Sequence, residues 1–568
     1  MSLTHPRPSQ KTRVLHTRGS DRKIGHEHME KMGIPVADTM PGFFYRFWQS
    51  VFDFKSTRRL ERLGLSVGKY LIDPWLINRL FSNLPPYVRE RVEGMCDVSG
   101  AKFEELATSL VLPDLLPLLQ AYAGRIGQVR MVDVRMPEGL GCSSFLAKGN
   151  QFLQGRNLDF PGVAYWDRYP VIQMIEPPDG MKYIGFTTAG APIGGITGIN
   201  EAQISVALHQ HYALETNLRG GLPFICGEEI LKKAKTLEDA VKILQSYRFA
   251  NSWAFVIADG KTQDGFLFES NPKKNKILWL SERNPIAHSN HFQLLSDTTQ
   301  EYAMTTRMNW DNYCRKTRLE NLTREKGNAL DFKSAVTIIS DHYDLYWGEE
   351  KIINRTVSQV YNIQSLVWDL GNMKVFFAEG DAPVHLRKYV EFDLGEIFSG
   401  KEGRTGQELP AFRFKNENQF KAKEAYILSF VSAFDGNYHD AEKELERCLE
   451  LDFCPEAAFV AGVVSLKNGK EKTGLELFQK ARKAIEDKAK EKNKTDFPPE
   501  YFESLIFEAR ALDLLGRRKE AKAAYAHLAN HPKLLDSNLR KIAKKAGPYQ
   551  RAKLDQILMP YSSFIPFH

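Results

Sequence analysis

The apolar residues of this chain recur at helical spacing up to Gly141, and from Cys142 onward they alternate in short runs. That change of period constrains the fold more than any other feature. Before it, amphipathic stretches cover Trp75–Leu84 and Lys102–Ala121. Pro85–Pro86 punctuates the first, and Pro113 and Pro117 interrupt the second. After it, Cys142–Ala147 and Gln151–Phe160 flank Lys148–Gly149–Asn150, which predicts a hairpin. Further strands are predicted at Val171–Ile175, Tyr183–Thr188, Gln203–His209, Trp253–Ala258, Phe266–Glu269, Ser365–Asp369 and Val375–Ala378. Helical pairs are predicted at Pro223–Ala234 and Leu237–Tyr247, then at Asn312–Arg324 and Phe332–Asp341. Strands and helical pairs in this alternation imply a layered α+β domain with helices on its sheets.

Beyond about Pro410 the chain turns helical again and repeats itself. Gly436 is followed by Ala441, Leu445 and Cys448; Gly469 by Gly474, Phe478 and Ala481; Gly516 by Ala521, Tyr525 and Leu528. The glycine ends one helix in a tight turn, and the small residue after it lets the next helix pack closely. The first two glycines are 33 residues apart, near the tetratricopeptide period, and a charged extension, Lys483–Pro499, delays the third. An all-α helical-repeat domain is expected here, with an irregular helical bundle as the alternative. The expected boundaries are 1–141 for a mostly helical N-terminal segment, 142–408 for the layered core and 409–568 for the helical tail.

Composition excludes several classes. With 43% hydrophobic residues and 11% aromatics the 568-residue chain can build a sizeable core. No window approaches ~18 uninterrupted apolar residues, so no membrane span is expected. Met1–Gly33 is polar and lacks the apolar centre of a secretory signal, which points to the cytoplasm. Lys and Arg number 77 against 70 acids, a net +7 too thinly spread for a nucleic-acid face. The six cysteines have neither CxxC spacing nor the density of a disulfide framework, and neither a metal nor another cofactor is expected.

One cysteine sits where the pattern changes, in Gly141-Cys142-Ser143-Ser144-Phe145, and Gly155-Arg156-Asn157-Leu158-Asp159-Phe160 follows at the far end of the same hairpin. A nucleophilic cysteine needs a stabilised thiolate and donors for a tetrahedral oxyanion. A hairpin brings Arg156 and Asp159 within side-chain reach of Cys142. If the peptide before Cys142 is cut, the new α-amine, with an ordinary pKa near ~8, can act as general base. No catalytic histidine is then required.

Three further pieces follow in order: Gly198-Ile199-Asn200-Glu201, Ala250-Asn251-Ser252 before a strand ending Ala258-Asp259-Gly260, and Ser289-Asn290-His291-Phe292. The succession resembles the acyl-coenzyme A:6-aminopenicillanate acyltransferase family, within the cholylglycine hydrolase and penicillin V acylase clan of N-terminal-nucleophile hydrolases. Arg18–Gly25 resembles that family's opening segment, so the likeness spans about 13–395 and leaves the tail outside. The resemblance implies a four-layer αββα fold and self-cleavage between Gly141 and Cys142. It makes Cys142 the nucleophile, Arg156 an aid to sulfur and substrate, Asp159 the partner of the freed amine, and Asn251 an oxyanion contact. A later arginine completes such sites; Arg315 is the expected one and Arg307 the alternative. Asn200 is expected to support a turn. Where relatives carry an asparagine, this chain has Leu208-His209-Gln210-His211, so His209 either replaces the second oxyanion contact or lines the pocket.

Plainer readings stand beside these. Arg156 and Asp159 without the cysteine would be an ordinary ion pair. His209 and His211 lack a third metal ligand, and His291 is expected as a structural or pocket residue. Gly190–Gly198 lacks a phosphate-loop pattern and is expected to be a turn. The aromatic run Phe43–Trp48 is expected to be a helix packed on the core. The function expected is therefore a self-processing cysteine amidohydrolase or acyltransferase acting on a small-molecule linear acyl-amide. The competing expectation is a partner-binding helical-repeat scaffold, engaging another protein or itself, that carries a silent hydrolase domain.

Overall fold

The computed structural model describes residues 9–52, 73–126, 141–160, 162–299, 306–555, 557 and 559–561. Residues 127–140, immediately before the expected cleavage site, lie outside the described residues, as do 1–8 of the opening segment and 53–72 of the N-terminal segment.

Two large sheets face each other. One has eight strands in the order β1(Arg13–Arg18), β4(Pro170–Glu176), β5(Tyr183–Thr188), β6(Thr197–Asn200), β7(Ile204–Gln210), β8(Trp253–Asp259), β9(Asp264–Ser270), β10(Asn275–Trp279). The other has seven: β11(Ile286–His288), β2(Gly141–Lys148), β3(Phe152–Asp159), β14(Asn362–Asp369), β15(Lys374–Glu379), β16(Lys388–Asp393), β17(Arg404–Leu409); a short pair, β12(Tyr343–Asp344) with β13(Glu349–Glu350), stands apart from both. Leu146, Ile184, Val256, Leu366 and Trp368 belong to one fully buried cluster between them. Every residue of β3, and all but the last of β2, is buried, because each has a sheet on one side and helices on the other.

Of the helices, α1(Asp21–Met32), α2(Met40–Phe52), α3(Asp73–Phe81), α4(Pro86–Ser99) and α5(Phe103–Ile126) precede the cysteine. The next two, α6(Pro223–Lys233) and α7(Leu237–Ser246), cover the outer face of the eight-stranded sheet at β7 and β8. The outer face of the seven-stranded sheet carries α8(Thr306–Lys326) on β2 and α9(Phe332–Ile339) on β3. The result is an αββα sandwich, an α+β fold, followed by a helical region.

The first part of the chain is less purely helical than its periodicity predicts. Arg13–Arg18 forms β1, which pairs parallel with β4 and extends the eight-stranded sheet. The helix α1 then crosses α4 very closely. A Cβ on Gly25 would fall 2.0 Å from the Arg91 carbonyl oxygen, and one on Gly94 would fall 1.8 Å from that of Arg22. Beside this crossing, the buried Arg91 pairs with Asp21 and with Glu228 of α6, fastening the N-terminal segment to the core. Phe43, Phe44 and Trp48 of α2 are buried.

Gly190–Gly198, expected as a turn, contains the start of β6. After α10(Leu394–Phe398) and β17, three antiparallel helical pairs follow: α11(Glu417–Phe434) with α12(Tyr438–Leu451), α13(Pro455–Lys467) with α14(Glu471–Glu491), and α15(Pro499–Leu514) with α16(Arg518–Asn530). Gly436, Gly469 and Gly516 occupy the turns inside the pairs with φ of 79°, 77° and 74°, a left-handed conformation that glycine adopts without steric cost. No helix among the described residues is long and apolar enough to cross a membrane.

Candidate active site

The hairpin β2–β3 sets the geometry. Gly141 pairs with Asp159, Cys142 with Leu158, Ser143 with Asn157 and Ser144 with Arg156. Side chains alternate across a sheet, so Cys142, Ser144 and Arg156 share one face, while Ser143 and Asp159 lie on the other. The first group points toward the second sheet and the other toward α8 and α9. Arg156 is therefore a diagonal neighbour of Cys142, within reach for a long side chain.

On the inter-sheet side, Arg156 Nη2 lies 3.4 Å from Cys142 Sγ, and its Nε donates to Thr197 Oγ1 at 2.8 Å. His209 Nε2 is 2.8 Å from Ser144 Oγ and 3.5 Å from Arg156 Nη1. A guanidinium can only donate, so Nε2 is the acceptor and the imidazole proton sits on Nδ1, which has no hydrogen-bond partner. Burial, and then the Arg156 charge, hold His209 well below the ordinary histidine range, so it is neutral.

On the helix side, Arg315 of α8 grips the backbone of the cysteine. Its Nη1 donates to the Cys142 carbonyl at 2.7 Å and to Ser143 Oγ at 2.8 Å. Asn290 completes the hold: its Oδ1 accepts the Cys142 N–H at 2.7 Å and Arg315 Nη2 at 3.2 Å, and its Nδ2 donates to the Gln210 carbonyl at 3.0 Å. Asp159 accepts Asn362 Nδ2 at 2.8 Å, and its Oδ2 has no hydrogen bond. Burial raises the Asp159 carboxyl to about 6 against the pull of Arg315.

Cys142 is completely buried. Burial pushes its thiol above the ordinary range, and Arg156 opposes that shift. The other cysteines among the described residues are free, and all but Cys96 are buried.

The expected residues do not all converge. Asn251 Nδ2 donates to the carbonyl oxygen of Asp114 at 2.6 Å and to its Oδ1 at 3.2 Å. Asp114 belongs to α5, and Gln210, which Asn290 contacts, bonds the neighbouring Pro113 carbonyl through Nε2. Asn251 thus lies on a path of contacts that runs through α5 and Gln210 to Asn290. Asn200 does not reach the site: its Nδ2 donates to the carbonyls of Leu231 and Ala234 at 3.1 and 2.8 Å, and its Oδ1 takes the Ile204 N–H at 2.9 Å, bracing the β6–β7 turn.

Arg307, the alternative to Arg315, is elsewhere. Its guanidinium lies 3.8 Å from Glu500 and 3.4 Å from Glu503 of α15. Eight residues along one helix separate the two side chains by ~12 Å in rise. Only one of the two can face the cysteine.

Asn290 is the residue that sequence reasoning passed over. Its segment is recognisable, but nothing in it marks Asn290 over His291, whose ring contacts Ser289 Oγ at 2.9 Å and which burial lowers to about 4. His211 Nε2 lies 2.9 Å from His288 Nε2, and no three His, Cys, Asp or Glu side chains among the described residues are arranged to hold a metal ion.

Comparison with known proteins gives a family match over part of the chain. Residues 146–381 match the model of the acyl-coenzyme A:6-aminopenicillanic acid acyl-transferase family. The match contains Arg156, Asp159, His209, Asn251, Asn290 and Arg315, begins four residues after Cys142, and ends before the helical region. Among curated proteins none matches by sequence. The solved structures similar to this chain include the Caenorhabditis elegans ortholog of N-acylethanolamine-hydrolyzing acid amidase, with 17% sequence identity and a TM-score of 0.30, covering 40% of this chain and 93% of that one.

Proposed function

We propose that this chain, with its segment 146–381 in the acyl-transferase family, is a self-processing enzyme that uses Cys142 to cleave or transfer the acyl group of a linear amide. The observation that carries the reading is the grip on one residue from two sides. Arg156 meets the sulfur of Cys142, while Asn290 and Arg315 hold its N–H and its carbonyl. An ordinary buried cysteine in a strand needs none of this.

Processing would begin with Sγ adding to the Gly141 carbonyl carbon. The C–N bond to Cys142 breaks, the thiol proton passes to the departing nitrogen, and a thioester links Gly141 to the sulfur. Water then hydrolyses the thioester, which leaves a carboxylate on Gly141 and a free α-amine on Cys142. Asp159, paired in register with Gly141, and Asn290, already on that nitrogen, are the groups that would hold the amine.

In turnover, the amine would take the thiol proton as Sγ attacks the substrate carbonyl, and would return it to the leaving amine as the tetrahedral intermediate collapses. Asn251 Nδ2, once Asp114 releases it, is the candidate oxyanion donor, while His209, whose accepting Nε2 faces Ser144 and Arg156, lines the pocket. Water or a second amine would then release the acyl group. Intact-mass measurement of the purified chain tests the first step, and hydroxylamine trapping of a Cys142 acyl-thioester tests the second. A chain that stays whole while turning over amides, or a Cys142→Ala variant that keeps activity, would end this reading.

A further inference from the structure

Arg315 owes its position to Asp311, one turn earlier on α8: Arg315 Nε donates to Asp311 Oδ2 at 2.7 Å, and both side chains are fully buried. The other oxygen of Asp311 accepts the backbone N–H of Arg355 at 2.7 Å. Arg355 follows Asn354, and both are left-handed, with φ of 55° and 61°. Such backbone is unfavourable at a non-glycine residue and persists only where the surroundings enforce it.

The surroundings that enforce it come largely from the helical region. Arg355 Nη1 bonds Glu500 at 2.7 Å, its Nη2 bonds Glu456 at 2.9 Å and its Nε bonds Asp344 at 3.0 Å. Asn354 Nδ2 adds a bond to Glu500 at 3.0 Å, and Lys351 pairs with Glu456. All of these groups are buried. Glu456 opens α13 and Glu500 opens α15, each directly after a proline, so two successive helical pairs present the same Pro-Glu dipeptide. The first turn of a helix favours a carboxylate there. Buried charge of this kind is a poor way to glue two domains together, since apolar residues of equal volume would do as well or better.

A second line runs to the same site. Lys423 of α11 donates to Ser358 Oγ at 3.0 Å, and Ser358 Oγ also meets His385. The His385 backbone N–H donates to Asn362 Oδ1 at 3.1 Å, and Asn362 Nδ2 donates to Asp159.

We propose that the C-terminal helices are part of the catalytic unit, with Glu456 and Glu500 as positioning residues that act through Arg355 and Asp311 to set Arg315 against Cys142. This rests on Cys142 being the nucleophile, as proposed above. The test uses the full chain and compares wild type with Glu456→Gln/Glu500→Gln, Asp311→Asn and the triple combination. The readouts are the rate of Gly141–Cys142 cleavage by intact mass, and kcat and KM on fluorogenic N-acyl aminocoumarin amides.

The expected result is a fall of about tenfold or more in cleavage rate and kcat, with KM changed less than about twofold. The effect of Asp311→Asn should largely vanish once both glutamates are changed. Wild-type rates in the glutamate variant, or losses that simply multiply in the triple variant, overturn the inference. If the double variant does not fold, Glu456→Gln alone leaves Glu500 and Asp344 on Arg355. It must then show the same kcat-selective loss at smaller size, and unchanged kcat overturns the inference. A wild-type chain that neither cleaves nor traps an acyl group on Cys142 removes the proposed function and this inference together. A processed, active wild type whose variants match it removes only the inference.

Discussion

Asp114 holds Asn251 twice over: Asn251 Nδ2 donates to its carbonyl oxygen at 2.6 Å and to its carboxylate at 3.2 Å. The same carboxylate oxygen accepts the Trp253 indole N–H at 2.9 Å, and its partner oxygen has no hydrogen bond. A helix that precedes the cysteine thus occupies the amide of a residue that the proposed chemistry needs free for substrate.

Burial raises the Asp114 carboxyl to about 7, and the bonds from Asn251 and Trp253 only partly offset that shift. The folded chain therefore binds a proton here that the unfolded chain releases near pH 4. Stability from this group is fully present below about pH 4 and declines until pH passes about 7. Asp114→Asn should raise the melting temperature at pH 8 relative to wild type and leave it nearly unchanged at pH 4. The difference should amount to a few kcal/mol. Equal shifts at both pH values would show that Asp114 is charged in the fold.

The crossing of α1 and α4 gives a prediction independent of any function. With backbone 2.0 Å and 1.8 Å from the added carbons, Gly25→Ala and Gly94→Ala cannot be absorbed by a side-chain rotation. Each should destabilise the chain by about 1–3 kcal/mol or more. Both act on one crossing, so their double variant should lose less than the sum. Thermal melting measures this, and wild-type stability in either variant would mean that the helices are farther apart.

How much of this was legible in the sequence depends on the range of the contacts. Cys142 and Arg156 could be paired because one hairpin links them, and hairpin register is a local property. Only the family resemblance points to Arg315, since nothing in Asn312–Leu319 tells which arginine faces a strand far earlier in the chain. Asn290 stood in a recognisable segment, yet its role depends on β11 lying beside β2, which no pattern near Asn290 encodes.

The strand β17 leaves no signal in the sequence because Arg404–Leu409 is an exposed, polar edge with no apolar alternation. Arg355, Glu456 and Glu500 carry no local signal beyond two Pro-Glu dipeptides. Their meaning appears only when segments over a hundred residues apart are packed together.

Arg156 should resist conservative replacement. Its fork reaches the sulfur of Cys142, Thr197 Oγ1 and His209 Nε2 together, which a single ammonium cannot do. Arg156→Lys should keep the fold and a fraction of the cleavage rate, while Arg156→Ala should lose about a hundredfold or more in kcat. Time courses of processing and turnover give both numbers. Equal activity in the lysine variant and wild type would mean that only the positive charge matters.

Asn290 separates the two halves of the proposed chemistry. In the intact chain its Oδ1 holds the Cys142 N–H at 2.7 Å, so Asn290→Ala should slow self-cleavage by about tenfold to a hundredfold through loss of alignment. After cleavage the same nitrogen is an ammonium or amine, and an acidic neighbour favours its charged form. Asn290→Asp should therefore process slowly but, once processed, show the acid limb of its kcat profile moved to higher pH than in wild type. A profile that does not move would place the amine on Asp159 alone. A cleavage rate unchanged by either substitution would show that the grip on the Cys142 nitrogen has no part in the reaction.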